Sequence, residues 1–471
     1  QRRLDVGIAF LVMVCHHLVR RHAQAVGHRI ARRVQIAAFS QAYVARTATS
    51  KRLADERRQR LADVRASAGF RPTLKEIVYP LTGNRADGAR VWDVDGNEYI
   101  DISMDFGVNI FGHGAPFLKA ALHEQAENSL ALGTRSTLAG EVSTMLCEMT
   151  GMDRVLFCQS GSESLMTALR LARLLRDRSR VAVFRKSYHG HFDGLLGDRS
   201  AIGDATEPVA PGILPNFVAD LLMLDYCDDA ALRAIETNAD QLAAVLVEPI
   251  QSRVLDAQPR EFLHKLREVT RRHGILLIFD EMITGFRCAP GGAQEVFGVE
   301  ADLVTYGKTI GGGVPMAALA ARGSLLDGID GGIWRFGDDS APDAGTTFFA
   351  GTFNNHPLGL AMAHAVLKEL KQRGPAFQQS LTERTRQLTE RLNQYFQAEK
   401  LPLSMIHFGS VFRFKHAGNL DLFYYHLLHR GLFVWEGRNC FLCDAHGQQE
   451  IDFIVDSVID SVEALRAGGY L

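Results

Sequence analysis

No apolar run near the start of this chain is long enough to cross a membrane as a helix. The run "VGIAFLVMVC", Val6 to Cys15, stops after ten residues at His16 and His17, well short of the ~20 that a span needs. The same region lacks an initiating Met and the basic-then-small-residue pattern of a secretory leader, so the start at Gln1 reads as the cut end of a longer protein. A strong net charge is also missing. The 52 Lys/Arg and 54 Asp/Glu leave a formal −2, which gives no whole-chain argument for nucleic acid. Cysteine is sparse and odd in number, seven in all, which argues against a disulfide framework and for reduced thiols in a cytoplasmic protein. Internal repeats and low-complexity linkers are absent as well.

What is present describes a globular, enzyme-like protein. The 471 residues are 46% hydrophobic and 23% charged with 43 glycines, too long for one core and enough for two or three structural units. Charge is distributed unevenly. Residues 1–68 hold 14 Lys/Arg against 4 Asp/Glu, a formal +10, while the remainder holds 38 against 50. A basic amphipathic leader of this kind is either a solvated helical face or a surface for a membrane, nucleic acid or neighbouring domain.

Residues 4–66 read as helices, with the charge-dense Ser50 to Ser67 opening at a Ser N-cap. "RVWDVDGNEYIDIS" alternates around Asp95-Gly96 and predicts a hairpin, and a helix follows from about Pro116 to Asn128. From Val155 the pattern becomes short apolar strand, then helix: "VLFCQ", "VAVF", "AAVLVEP", "ILLIFDE", "LVTYG" and "AALAAR" are the strands. This alternation predicts an α/β unit with a largely parallel sheet covered on both faces, its active groups at the carboxyl ends of the strands. After Gly351, two long helices, the strand "SVFRFK" and a last helix read as a smaller α+β unit.

The chemistry centres on "LVTYGKTIGGGVP", Leu303 to Pro315. A phosphate-gripping Gly-x-x-x-x-Gly-Lys loop fails here, because the residue five before Gly307 is Asp302 and the glycines follow the lysine. Lys308, ending a strand with Gly311, Gly312 and Gly313 beyond it, suits a Schiff-base lysine with space cleared for a flat cofactor. Pyridoxal 5′-phosphate makes further demands, each with a candidate. Gly161 and Ser162, between a strand and a helix, offer an N-terminus for the phosphate. Asp280, ending "ILLIFD", is placed to keep the pyridine nitrogen protonated, and Glu281 should face the other way. Tyr188 in "KSYHGH" supplies a face for stacking, and Gln251 in "VEPIQS" a donor for the phenolic oxygen. Metal is not expected. His189 and His191 lack a third ligand nearby, and the single Cys440-x-x-Cys443 lies in an apolar run that reads as a buried strand.

On the motifs "SGSES", "SYHGH", "VEPIQ", "FDEMITGFR", "TYGKTIGGGVP" and "FFAGTFNNHP", in that order, the chain from about Phe70 onward resembles the class III pyridoxal-phosphate aminotransferases, in particular the glutamate-1-semialdehyde aminomutase-like branch. The resemblance implies the pyridoxal-phosphate-dependent transferase fold of type I: a mostly parallel, seven-stranded-type large-domain sheet, a smaller α+β domain and, here, an N-terminal helical extension. The expected divisions are an extension over 1–68, the first part of the small domain over 69–128, the cofactor-binding large domain over 129–350 and the rest of the small domain over 351–471. Lys308 would hold the cofactor covalently and shuttle the substrate proton. Asp280 would pair with the ring nitrogen, Met282 would pack beneath the ring and Tyr188 would stack above it. Ser160, Gly161, Ser162, His189, Glu248 and Gln251 would complete the cofactor shell, with Thr352 reaching the phosphate from the second subunit of a homodimer. Glu436 in "WEGRNC" matches an acidic residue that reaches toward substrate, and Arg438 is either a partner for the donor's carboxylate or a surface residue without a role. Ser162 and Ser164 stand where the family usually has Thr and Ala; the first change keeps the hydroxyl.

Three further stretches, Ala45 to Leu81, Asp327 to Phe353 and "ALRAGGY" near the end, look like the aminotransferase domains of polyketide and hybrid peptide synthases and the fused aminotransferase of prodigiosin-type biosynthesis. They imply an amino-acid donor and a lipophilic aldehyde or ketone acceptor, free or presented by a carrier protein. The alternatives are a 1,2-aminomutase, which needs no external donor, and a non-catalytic docking module, which should have lost Lys308 or Asp280.

Overall fold

A computed structural model describes residues 32–64, 67, 70–201, 203, 205–418 and 420–471. The apolar run Val6–Cys15 and the helical reading of residues 4–31 lie outside these. Among the described residues no helix is long and apolar enough to cross a membrane.

Seven strands make the central sheet: β1 Arg154–Cys158, β2 Arg180–Phe184, β3 Leu221–Leu224, β4 Leu242–Val247, β5 Leu276–Asp280, β6 Leu303–Tyr306 and β7 Ala317–Ala321. Their spatial order is β1-β7-β6-β5-β4-β2-β3. β3, β2, β4, β5 and β6 pair in parallel, and only β7 is antiparallel to its neighbours. Every residue of β4, β5, β6 and β7 is buried, as the continuous apolar runs require of strands covered on both faces. The period of two sorts them. Val245, Val247, Leu277 and Phe279 join one apolar cluster, with Phe262, Leu263 and Leu266 of the helix Arg260–Arg272. Ala244, Leu246, Leu276 and Ile278 join the other, with Leu165, Ala168, Leu169 and Ala172 of the helix Gly161–Arg176, here α1. Each fully buried aliphatic or aromatic side chain contributes about 1.5–3 kcal/mol, so the sheet is the rigid floor on which the strand ends stand. The edge strand β3, "LLML", was not anticipated, because four residues without alternation give no period to read.

The Asp95-Gly96 hairpin forms as expected: Arg90–Asp93 and Glu98–Asp101 pair antiparallel, with Gly96 at φ +86°. Leu432–Phe433, from the far end of the chain, adds parallel to Glu98–Asp101. Ile100 and Ile102 share a core with Phe412, Phe423, Ile454 and Val458. A three-stranded antiparallel sheet, Leu403–Phe408, Val411–His416 and Cys440–Phe441, lies beside them. Its first strand was also not read from the sequence. Cys440 and Cys443 are fully buried, with the Cys443 thiol 3.1 Å from His446 Nδ1 and pushed up by burial to about 12.

The N-terminal cap is corrected. Residues 32–46 are helical, the next helix is Ala48–Arg57, and Ser50 is buried inside it instead of capping it. The cap comes from the hairpin turn. The Asp95 carboxylate accepts the N–H groups of Thr49 (2.7 Å) and Ser50 (3.1 Å), an anion at a helix N-terminus. The Ser50 hydroxyl instead accepts the Thr82 N–H. The helix stops at Arg57, short of the expected Ser67.

Candidate active site

Helix α1 begins directly after β1, and its first amides, Gly161 and Ser162, have no intrahelical acceptor. Ser160 is the N-cap, its hydroxyl accepting the Glu163 N–H. The loop after β2 closes over this first turn. His191 N–H donates to Ser162 Oγ at 3.0 Å, and Gly190, at φ +80°, comes so close that a Cβ there would lie 2.3 Å from the same oxygen. An open helix N-terminus with small residues and a hydroxyl is a fitting cradle for a phosphate.

The ends of β5 and β6 deliver the charged groups. Asp280 is 5% exposed; its Oδ2 lies 2.8 Å from His189 Nδ1 and its Oδ1 accepts the Met282 N–H at 3.1 Å. A carboxylate that accepts from Nδ1 fixes the histidine's tautomer and is itself held in place. His189 Nε2 is buried without a hydrogen-bond partner. Glu248, after β4, accepts the Tyr188 N–H at 3.2 Å, and burial pushes its carboxyl up to about 7. Glu281 turns away from the cavity and takes the Ala293 and Gln294 amides and the Thr284 hydroxyl; burial again pushes it up to about 7. Lys308 follows β6 at φ +47°, a left-handed conformation that a side-chain-bearing residue adopts at a cost and that concentrates at functional sites. Burial lowers its ammonium pKa, opposed by Asp280 and Glu248 and assisted by Arg287. A lysine relieved of its proton is a nucleophile and a base.

The glycines are used partly as expected. Gly311 packs against Met316, and Gly312 (φ +57°) against Val366 and Leu118, while Gly313 (φ +107°) lines the cavity with Lys308. Gly161 and Gly307 make room for Met282. Added Cβ atoms there would lie 2.9 and 2.6 Å from Met282 Sδ. Met282 is thereby fixed in the floor of the cavity.

Lys308, Asp280, Met282, Tyr188, Ser160, Gly161 and Ser162 together line one cavity of about 430 Å³, within the usual range for a cofactor or small-molecule site. Its chemistry fits pyridoxal phosphate: an anion cradle at one end, a braced carboxylate, and a lysine of depressed basicity. Gln251 does not line it. Both hydrogens of its Nε2 go to Arg185 O (2.7 Å) and Ser187 Oγ (2.9 Å), so it braces the loop before Tyr188 rather than presenting a donor to a ring oxygen. Glu436 and Arg438 are not among the lining residues either; Glu436 lies near enough to Tyr43 to help raise that phenol's pKa. Thr352 is exposed and does not line its own chain's cavity, although the neighbouring Phe353 carbonyl accepts from Gln159, which does.

The opposite wall escaped the sequence reading. Met104, Asp105 and Phe106 stand at φ +46°, +51° and +56°, followed by Gly107 at +91°, nearly one turn of left-handed helix. At about 1–2 kcal/mol for each non-glycine residue, the turn costs roughly 3–6 kcal/mol and persists because its surroundings dictate it. Asp101 Oδ1 accepts the amides of Ser103 (2.7 Å) and Met104 (3.0 Å). The Phe106 ring stacks on Trp435, 5.9 Å between centroids and 18° between planes. Arg287, 1% exposed, donates to Gly107 O (2.5 Å) and Ser410 Oγ (2.9 Å) and lies over the Phe441 ring. That ring in turn occupies the place of a Gly107 side chain. Asp105 and Val108 line the cavity. Only the glycine density of Gly107, Gly112 and Gly114 could have marked this segment in advance.

Known proteins share this sequence pattern and fold. Over 338 residues the chain is 35% identical to a glutamate-1-semialdehyde 2,1-aminomutase of Chloroflexus aggregans, covering 71% of this chain and 74% of that one. An omega-transaminase from Sphaerobacter thermophilus superposes with a TM-score of 0.78 at 26% identity, over 88% of this chain and 98% of that one. A glutamate-1-semialdehyde aminomutase from Pseudomonas aeruginosa in complex with PMP shares the fold, with a TM-score of 0.79 at 23% identity over 93% and 99% of the two chains. The family model described as aminotransferase class-III matches residues 71–412, and the chain therefore belongs to the class III aminotransferases, enzymes of the type I pyridoxal-phosphate fold whose cofactor is pyridoxal 5′-phosphate.

Proposed function

We propose that the protein transfers an amino group from an amino-acid donor to an aldehyde or ketone on a lipophilic chain, within specialised-metabolite biosynthesis. The observation that carries the reading is Lys308: a buried amine of lowered basicity at the end of β6, sharing one cavity with the α1 N-terminus and with Asp280. Bound pyridoxal phosphate supplies an electron sink that makes the carbon next to the nitrogen acidic. This chain's residues do the rest. Lys308 Nζ would accept the proton from the substrate carbon and hold it for return to carbon, a task for an uncharged amine. Asp280, oriented by His189, would offer its carboxylate to a ring N–H. The amides of Gly161 and Ser162, with the Ser162 hydroxyl, would bind phosphate oxygens. Tyr188, 55% exposed, would supply an aromatic face on the solvent side.

Val108, Leu165, Val314 and Met316 on the cavity wall support a lipophilic acceptor, as do the three stretches similar to synthase-borne aminotransferases. The acceptor is a prodigiosin-type pyrrole precursor or a β-ketoacyl chain, free or carrier-bound. We place the reaction in the cytoplasm, on the free cysteines. The active unit is a homodimer. Trp334, Phe336, Phe348 and Phe353 are exposed on the segment that carries Thr352, an apolar surface suited to a second copy from which Thr352 reaches the partner's phosphate site. The four divisions of the chain stand as part of this reading, with the hairpin and the C-terminal residues in one small domain.

A 1,2-aminomutase is the second reading, favoured by relatives that carry that name. The two separate on the donor requirement. The loaded protein is offered long-chain aldehydes and β-ketoacyl thioesters with and without an amino-acid donor, and products are detected by mass. Amine formed only with the donor supports transfer. Isomerisation of glutamate-1-semialdehyde without any donor supports the aminomutase instead.

A further inference from the structure

The cavity holds one charged side chain that no cofactor motif uses. Asp105 is exposed on the left-handed turn and lines the cavity together with Lys308. Among the described residues its carboxylate has neither an ion-pair nor a hydrogen-bond partner. The other acid on the wall, Asp280, is buried against His189, and Lys308 is engaged at the reacting carbon. No arginine is among the described residues that line the cavity.

The backbone around Asp105 is held from both sides, by Asp101 at the amides of Ser103 and Met104 and by buried Arg287 at Gly107 O. Aspartate and asparagine tolerate left-handed φ better than other residues with side chains, so this position accepts a carboxylate with little additional strain. A substrate tail that carries its own carboxylate meets a like charge on a held backbone here. A neutral tail meets Val108, Val314 and Met316 beside it.

We propose that Asp105 is a specificity-determining residue that turns away acceptors with a carboxylate on the tail and admits neutral, lipophilic ones. The inference rests on the amino-transfer reading and deepens it by naming the charge of the acceptor. It concerns the far end of the acceptor, not a group on the reacting carbon.

The test uses the holoenzyme converted to its amine form by an amino donor and freed of excess donor. It is mixed with butanal or with succinic semialdehyde, which differ in one terminal methyl or carboxylate. Recovery of the aldehyde-form absorbance at rising acceptor concentration gives both a limiting rate and a half-saturation constant. The wild type should prefer butanal by about tenfold or more, and Asp105→Asn should reduce that preference by about tenfold, the order expected of one screened charge near a protein surface. The change should lie in half-saturation for succinic semialdehyde and weaken with added salt. Asparagine keeps the left-handed turn, so an unchanged cofactor spectrum and melting midpoint accompany this outcome. Asp105→Gly, equally at ease at positive φ, serves if the first variant does not fold. An identical preference in wild type and variants, or a wild type that favours succinic semialdehyde, overturns the proposal while leaving amino transfer standing. If neither these aldehydes nor longer ones restore the absorbance, the transfer reading falls and takes this one with it.

Discussion

At the inner end of the cavity Asp280 is 5% exposed and gripped by His189, whereas at the outer end Asp105 is exposed and held only through its backbone. The inner groups stand on strand ends and a helix start, positions set by a sheet buried on both faces. The outer turn is held by distant residues: Arg287 reaches Gly107 from 180 positions away, and Trp435 and Phe441 come from near the C-terminus. Under the proposed function the two ends have different tasks: cofactor chemistry falls to the strand ends of a sheet buried on both faces, and acceptor choice to a turn that side chains impose on a reluctant backbone.

The comparison predicts that inner substitutions remove chemistry while leaving the fold intact, and the largest effect belongs to Lys308→Ala. Turnover should fall by at least ~10³-fold and the visible absorbance of cofactor linked to the lysine should vanish, with the thermal midpoint unchanged or raised because a buried amine is gone. Asp280→Asn comes next. It should keep cofactor but slow turnover by roughly a hundredfold, about 2.7 kcal/mol of transition-state stabilisation; an unchanged single-turnover rate would remove Asp280 from its role.

Outer substitutions should show in stability and substrate half-saturation. Arg287→Ala leaves Gly107 O and the Ser410 hydroxyl unmatched in the interior, a loss of about 3 kcal/mol in denaturant titration. Arg287→Lys should recover part of it. A variant that keeps full stability would show that the left-handed turn holds itself. Gly190→Ala tests where the two ends meet. Its Cβ would crowd Ser162 Oγ at a backbone held at positive φ, so cofactor affinity should drop by about tenfold, measured by fluorescence titration, and the cofactor-free protein should also lose about 1 kcal/mol or more of stability.

The buried carboxyls behind the inner end add a pH dependence. Burial raises Glu248 and Glu281 from 4.5 to about 7. Between about pH 4.5 and 7 the folded chain keeps protons that the unfolded chain has released, so stability falls as pH rises through that window and the loss is complete above it. The fall should be on the order of 3 kcal/mol for each such group at most. Glu281→Gln should flatten it, and equal slopes for wild type and variant in pH-dependent urea unfolding would contradict the assignment.

The inner end was legible because its information is local. An apolar run, a terminal Asp280 or Lys308 and adjacent small residues give each strand end its chemistry in a few letters. The hairpin at Asp95-Gly96 was legible for the same reason. What failed depended on contacts across the chain. Ser50 looked like a cap, but the capping anion is Asp95, 45 residues away. Gly311, Gly312 and Gly313 looked like cleared space, but only Gly313 lines the cavity; Gly311 and Gly312 are packed, and Gly161 and Gly307 make the room that Met282 needs. Gln251 looked like a free donor until the fold brought Arg185 O to it. Met104, Asp105 and Phe106 carry no mark of left-handed backbone, because their own preferences oppose it and Asp101 and Arg287 overrule them.

The central claim is that nitrogen passes through Lys308's site from a separate donor to a neutral carbonyl acceptor. Its most direct measurement supplies the loaded protein with ¹⁵N-labelled amino-acid donor and unlabelled long-chain aldehyde, then weighs the amine product. Incorporation of ¹⁵N into the product, absent in Lys308→Ala, is the predicted result. Wild-type protein that forms no labelled amine, yet isomerises glutamate-1-semialdehyde with retention of its own nitrogen, would contradict it.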